Sequence, residues 1–171
     1  MEKPVVESEV LVFCYTKPED LEKIMEIEKE NNRFVYTWSR ERHMQAIESE
    51  EELHIAIRRK SDNGIVGYAL LNEMNSGDNC IEFRRIAIGE QGKGYGRESI
   101  RLMKKMCFEV FKCHRLWLDV YEDNIIAQKL YRSEGFVQEG IMRDCKKHGD
   151  TYRSMLLMSM LEQEYRDQCT S

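Results

Sequence analysis

Apolar residues along the chain recur at two periods, and each change of period marks a change of element. Val10 to Tyr15 is a short apolar run that predicts a strand. Thr16-Lys17-Pro18-Glu19 has the form of a capping box with proline in the first turn. The helix it opens carries Leu21, Ile24, Ile27 and Glu28 at helical spacing and should end near Asn31-Asn32. A second short helix is expected from Ser39 through Met44 and Ile47. The period then drops to two: Leu53, Ile55 and Ile57 alternate with His54, Ala56 and Arg58, the mark of a half-buried strand. Asn63-Gly64, both tolerant of positive φ, predicts a hairpin into a strand from Ile65 to about Met74. A second turn at Asn75 to Asn79 leads to a third strand, Cys80 to Ile88, completing an antiparallel meander.

Beyond Ile88 the pattern becomes helical again. Gly89 to Gly96 opens a helix whose apolar residues Ile100, Met103, Cys107, Val110 and Phe111 form one stripe. Leu116 to Val120 is a compact strand. Asn124 starts a helix with Ile126, Ala127, Leu130 and Tyr131, ended by Gly135 in the C-cap position. Phe136 to Met142 and Tyr152 to Leu161 read as two closing strands. Strands leading into strand, loop, helix, strand and helix predict an α+β (mixed α/β) domain, with the crossover helix joining two parallel strands. With only Pro4 and Pro18, and no Gly/Ser-rich stretch, nothing divides the chain, so residues 1–171 are expected to form one domain.

Composition narrows the role. The 26 Lys+Arg against 31 Asp+Glu give a formal charge of −5, which disfavours a phosphate backbone or an anionic membrane as a general partner. No apolar run approaches the roughly 20 residues needed to cross a bilayer, and the start lacks a signal-peptide pattern. A cytoplasmic location is expected. The six cysteines (14, 80, 107, 113, 145 and 169) are scattered, without a CxxC pair or a Cys/His cluster at zinc spacing. They are expected to be free thiols, several of them buried, with no metal bound.

Gly92, Gly94 and Gly96 alternate directly before a helix. Bare Cα atoms admit a ligand to the backbone, and a helix start leaves N–H groups unsatisfied, so the junction suits a pyrophosphate, with Lys93 adding positive charge. An ordinary glycine-rich turn is the alternative. The Walker pattern is absent, and a dinucleotide fingerprint fails at Arg97, where its third glycine belongs. Although Asp119 lies where a ribose-binding acid would fall, the loop follows an antiparallel meander and too little chain remains for two nucleotide-binding halves.

Gln91-Gly92-Lys93-Gly94-Tyr95-Gly96 resembles the acyl-CoA signature Gln/Arg-x-x-Gly-x-Gly/Ala of the GNAT superfamily of N-acetyltransferases. Asn124 to Phe136 resembles its second signature, Asn-x-x-Ala-x-x-Leu-Tyr-x-x-x-Gly-Phe. Both blocks stand in the right order and separation, and the resemblance covers nearly the whole chain. Phe136-x-x-Glu139-Gly140-x-x-Arg143 and Glu164-Tyr165 are similar to the ribosomal-protein and spermidine acetyltransferase branches. The resemblance implies a central mixed, mostly antiparallel twisted sheet of about six to seven strands with helices on both faces. It also implies acetyl-CoA as the donor and direct attack by a primary amine in a ternary complex.

On that resemblance, the loop amides from Gly92 to Arg97 hold the pyrophosphate, and the backbone of Ile86, Ala87 and Ile88 runs beside the pantetheine. The Ile88 amide points at the acetyl carbonyl, Asn124 and Ala127 border the cofactor, and Tyr131 protonates the leaving thiolate. A phenol with a pKa near 10 holds its proton at neutral pH. Asn124 serves equally as a helix cap, and Tyr131 beside Leu130 is equally placed for a core. An ammonium must lose its proton before it attacks; Glu82 resembles a base of the histone-acetylating branch, with a shorter spacing to Gln91, and an exposed strand carboxylate is its other reading. His54 is a weaker candidate. Ile88 stands where many relatives have proline. Glu28, Glu30, Glu48, Glu50, Glu51 and Glu52 attract a cationic amine or form a solvated face, and Tyr36 and Trp38 line an acceptor groove or simply pack. The acceptor is a small-molecule amine or a protein N-terminal or lysine amine. A homodimer through the C-terminal strands is compatible with the sequence, and a non-catalytic acyl-CoA-binding module is the rival function.

Overall fold

A computed structural model describes residues 4–171. Eight strands form one open sheet in the order β1-β2-β3-β4-β5-β6-β8-β7. They are β1 (Val6–Glu7), β2 (Leu11–Tyr15), β3 (Leu53–Arg59), β4 (Ile65–Asn72), β5 (Cys80–Ile88), β6 (Arg115–Tyr121), β7 (Val137–His148) and β8 (Thr151–Leu161). Every neighbouring pair is antiparallel except β5 and β6. The eighth strand exceeds the six to seven expected: β1 is only two residues long, too short to show a period.

The helices are α1 (Leu21–Glu30), α2 (Arg40–Glu48), α3 (Tyr95–Lys105), α4 (Ile125–Ser133) and α5 (Glu162–Cys169). Two apolar cores occupy opposite faces of the sheet. On one, Leu21, Ile24 and Ile27 of α1 cover Tyr68, Leu70 and Ala87. On the other, Ile100 and Met103 of α3 pack with Phe13, Ile55, Ile57, Phe83, Leu116 and Tyr131. β3 is therefore covered on both sides, with His54 and Ala56 as buried as Ile55, where alternation predicted one wet face.

Local chemistry departs from expectation in three places. Thr16 does not cap; the turn before α1 closes instead through the Lys17 N–H, which donates to the Asp20 carboxylate at 3.0 Å. The end of α3 widens over Met106–Val110, where the Phe111 N–H reaches the Met106 carbonyl. The widened turn rotates Val110 outward to 48% exposure, off the predicted stripe. The closing hairpin is longer than predicted, running to His148 and Thr151, and α5 follows it, with Tyr165 stacked on Phe108.

The feature that positions the site is a split in the sheet. β5 and β6 pair only at their starts, Cys80 with Arg115, Ile81 with Leu116 and Glu82 with Trp117. At that point the β4–β5 register slips: Leu71 faces Phe83 but Leu70 faces Arg85, so Arg84 is an extra residue. Such a bulge bends and twists its strand, and β5 leaves β6 from Phe83 onward.

Candidate active site

The split opens into a cavity of about 450 Å³, ordinary for a small-molecule site. Glu82, Phe83, Arg84, Arg85 and Ile86 of β5 form one wall, and Asp119, Val120 and Tyr121 of β6, with Asn124 and Tyr131, form the other. Phe34, Val35, Tyr36 and Trp38 close one side, and Lys146 and Met155 of the hairpin the other.

Tyr131 stands at the cavity wall, its ring edge-on to Phe83 and Phe136 with centroids at 6.2 and 5.8 Å. Burial, then the negative charge of Asp119, pushes its phenol above the usual range, so the hydroxyl keeps its proton. Among the described residues nothing hydrogen-bonds that hydroxyl. Glu82 is half-buried; desolvation raises its carboxyl despite a 3.1 Å bond from Asn72 Nδ2 and the charge of Arg84, with Asp119 and Glu73 adding to the rise. Asp119, across the split, is likewise raised by burial against the cations Lys146 and Arg84. Two carboxyls whose affinity for protons is increased therefore share a cleft with a protonated phenol. That is the equipment for moving protons.

Past the cavity, β5 runs into the glycine loop. Gly92 and Gly94 take φ of +77° and +80°, and a Cβ on either would meet no heavy atom within 4 Å, so the backbone lies open. Among the described residues no side chain caps α3 at Gly94, which leaves its first N–H groups available to an anion. Lys93 is held by Glu90 at 2.6 Å, and Arg97 pairs at 2.6 Å with Glu134, a carboxylate that Arg101 and Lys104 share at 3.3 Å, so this face of α3 keeps a net positive charge. Gln91 is exposed, with its amide 3.5 Å from the Ile88 carbonyl. The Tyr95 side chain is buried in the core, leaving only its backbone to face the loop. Ala87 turns its side chain to the α1 face, and the Ile88 carbonyl accepts from Asn31 Nδ2 at 3.2 Å. Asn124 caps α4, accepting from the Ala127 N–H at 3.3 Å, while lining the cavity. The cavity thus gathers Glu82, Ile86, Asn124 and Tyr131, while Gln91 to Gly94 lie on the loop beyond it and Tyr95 to Arg97 in the first turn of α3.

His54 does not reach the cavity. It is 3% exposed between Thr16 and His43, 2.8 and 2.9 Å from them. The acidic residues of the N-terminal half do not line it either: Glu28 is fully buried and Glu52, just before β3, pairs with Arg42. Tyr36 and Trp38 do line it. Asp119, Arg84 and Lys146 were not expected there. Asp119 had a signal, the single acid in the otherwise apolar run from Leu116 to Tyr121. So had Arg84: the doublet Arg84-Arg85 breaks the two-residue alternation, as a bulge does.

Residues 21–136 match the acetyltransferase (GNAT) family. The chain belongs to that family. It is 30% identical over 146 residues to the spermidine N(1)-acetyltransferase of Vibrio cholerae, spanning 79% of this chain and 84% of the relative. It is 26% identical over 121 residues to the probable N-acetyltransferase YjcK of Bacillus subtilis, spanning 70% and 67%. In structure it resembles the Vibrio cholerae spermidine N-acetyltransferase solved with CoA and spermine, with a TM-score of 0.82 over 91% of this chain and 98% of that one at 23% identity. As a member of the GNAT family, the chain is an acetyltransferase that moves an acetyl group from acetyl-CoA to an amine.

Proposed function

We propose that residues 1–171 form one acyltransferase domain that acetylates a small-molecule primary amine held in the split between β5 and β6. The observation that carries this reading is the convergence on one cavity of Glu82, Tyr131 and the free edge of β5, beside an open glycine loop. Acetyl-CoA, when bound, supplies the acetyl group as an activated thioester. The amides of Gly92 to Arg97 receive its pyrophosphate, and the unpaired backbone of Ile86 to Ile88 lies alongside its chain. The Ile88 amide serves the carbonyl oxygen, a contribution of about 3 kcal/mol for one such donor in a transition state. Glu82 accepts a proton from the substrate ammonium, and its raised affinity suits it to hold one. Tyr131 Oη gives a proton to the departing sulfur and regains one from the nitrogen that has been acylated. Overall one proton is released per turnover.

The test is calorimetric titration with acetyl-CoA followed by a thiol-release assay over an amine panel. Tyr131→Phe should lower kcat by at least about ten-fold while leaving acetyl-CoA affinity within two-fold of wild type. Equal turnover in the variant would remove Tyr131 from the mechanism.

A further inference from the structure

The cavity carries a charge pattern that a purely cationic acceptor does not explain. Its lining holds two carboxylates, Glu82 and Asp119, and three cations, Arg84, Arg85 and Lys146. Arg85 is neutralised from behind by buried Glu28 at 2.8 Å. Arg84 and Lys146 have no such partner: among the described residues neither makes a side-chain hydrogen bond or an ion pair within 4.0 Å. Arg84 has only the Trp38 ring, 5.9 Å from its guanidinium carbon.

Both cations are aimed by irregularities of the sheet. Arg84 is the extra residue of the β5 bulge. Lys146 follows a second one, where Arg143, Asp144 and Cys145 of β7 stand against Ser154 alone on β8, between Met142↔Met155 and Lys146↔Arg153. There Asp144 takes φ of +49° and its N–H bonds the Ser154 hydroxyl at 3.0 Å. Bulges redirect side chains beside active sites. These two bring cations that make no close ion pair to the cleft that holds Glu82 and Asp119, whose carboxyls feel Arg84 and, for Asp119, Lys146 only at longer range.

We propose that the acceptor is an amine bearing its own anionic group, a carboxylate or a phosphate, which Arg84 and Lys146 bind while the Glu82 and Asp119 side receives the ammonium. This rests on the reading of the cavity as the acceptor site. A polyamine would bring several positive charges to a cleft whose two carboxylates are already faced by Arg84 and Lys146, a like-charge conflict that selects against it. Arg84 supplies the planar two-pronged donor that suits carboxylate and phosphate, and Lys146 a point charge.

The test is steady-state thiol release with 4-aminobutyrate, O-phosphoethanolamine, n-butylamine and spermidine as acceptors. In the wild type, kcat/KM is expected to be highest for one of the two anionic amines, and which of them leads distinguishes carboxylate from phosphate. Arg84→Gln and Lys146→Gln, both at exposed positions, should each raise KM for that amine about ten-fold or more, a larger change than in kcat. Arg84→Lys should restore part of the loss, and Arg84→Glu should improve spermidine. If spermidine or n-butylamine leads and the Arg84 and Lys146 variants leave every KM unmoved, this inference is overturned and the acetyl-transfer reading stands. If no amine releases thiol although acetyl-CoA binds, the proposed reaction falls and takes the inference with it.

Discussion

Glu28 is the side chain on which the site's floor depends, and it does no chemistry. Fully buried at the end of α1, it accepts from the Tyr68 hydroxyl, from Arg85 Nη1 at 2.8 Å and from the Trp38 N–H at 2.9 Å, with His43 Nε2 at 3.3 Å. Burial alone would raise its carboxyl; the bonds from His43, Tyr68 and Trp38 outweigh that and hold it ionised. Behind it a polar chain continues, with His43 Nδ1 2.9 Å from His54 Nε2 and His54 Nδ1 2.8 Å from the Thr16 hydroxyl. Arg85 and Trp38, which this carboxylate fixes, both line the cavity. Removing one partner of a buried ion pair costs about 3–5 kcal/mol, so Glu28→Ala should lose that much in urea unfolding, and Glu28→Gln, which keeps an acceptor oxygen, clearly less. An Ala variant within about 1 kcal/mol of wild type would show that the network carries little stability. The sequence places Glu28 on the stripe of Leu21, Ile24 and Ile27 as well as among the acids, but it does not show the network. Its partners come from α2, β4, β5 and the loop before α2, and only the fold brings them together.

The elements with strong local signals were readable, and those built by pairing were not. β5 matches its predicted bounds because its flanking turns and apolar run are local, and α4 is bracketed by Asn124 and Gly135, whose roles as cap and C-terminal stop are intrinsic to those residues. The far half of the β7–β8 hairpin escaped notice because Arg143 to His148 is polar and exposed, and only its partner strand makes it β. α5 is short and polar, with no fully buried residue to set a period. The glycine loop lies on the legible side, and its three glycines do unequal work. Gly94 sits at φ +80°, so Gly94→Ala imposes about 1–2 kcal/mol of backbone strain and turns the amides the loop presents. Gly96 lies inside α3 without positive φ, and a Cβ there would meet Leu130 Cδ2 at 3.8 Å, an ordinary contact. Gly96→Ala should therefore raise thermal stability with acetyl-CoA affinity retained, since alanine favours a helix by up to about 1 kcal/mol. Gly94→Ala should weaken acetyl-CoA at least about ten-fold by calorimetry. The reverse ranking would mean that the amides at Gly94 do not hold the phosphates.

At the scale of the molecule, one sheet separates two cores and splits between β5 and β6, so the cavity is a consequence of topology rather than of any loop. The GNAT resemblance anticipated the mixed sheet, whereas the two bulges that give the cleft its charge depend on register, which no single strand records. The same architecture makes stability depend on pH, because β3 is covered on both faces and encloses an imidazole. Burial, then the neighbouring His43, holds His54 down at about 3, with Arg85 and Arg42 adding and Glu28 opposing. In the unfolded chain the group takes its proton near 6.5. Between those values the unfolded state binds the extra proton, so this contribution is complete above about pH 6.5 and is lost as pH falls toward 3. Glu28, held below its ordinary value, adds a second loss that begins only under about 4.5. Unfolding free energy should therefore decline from about pH 6.5 downward with a slope approaching 1.4 kcal/mol per pH unit, the value for one proton. His54→Gln should flatten the limb between pH 6.5 and 4.5 while leaving the acid limb in place. Urea titrations of both proteins at half-unit intervals read this directly; identical slopes in variant and wild type would mean that His54 is not the group that the folded chain keeps unprotonated.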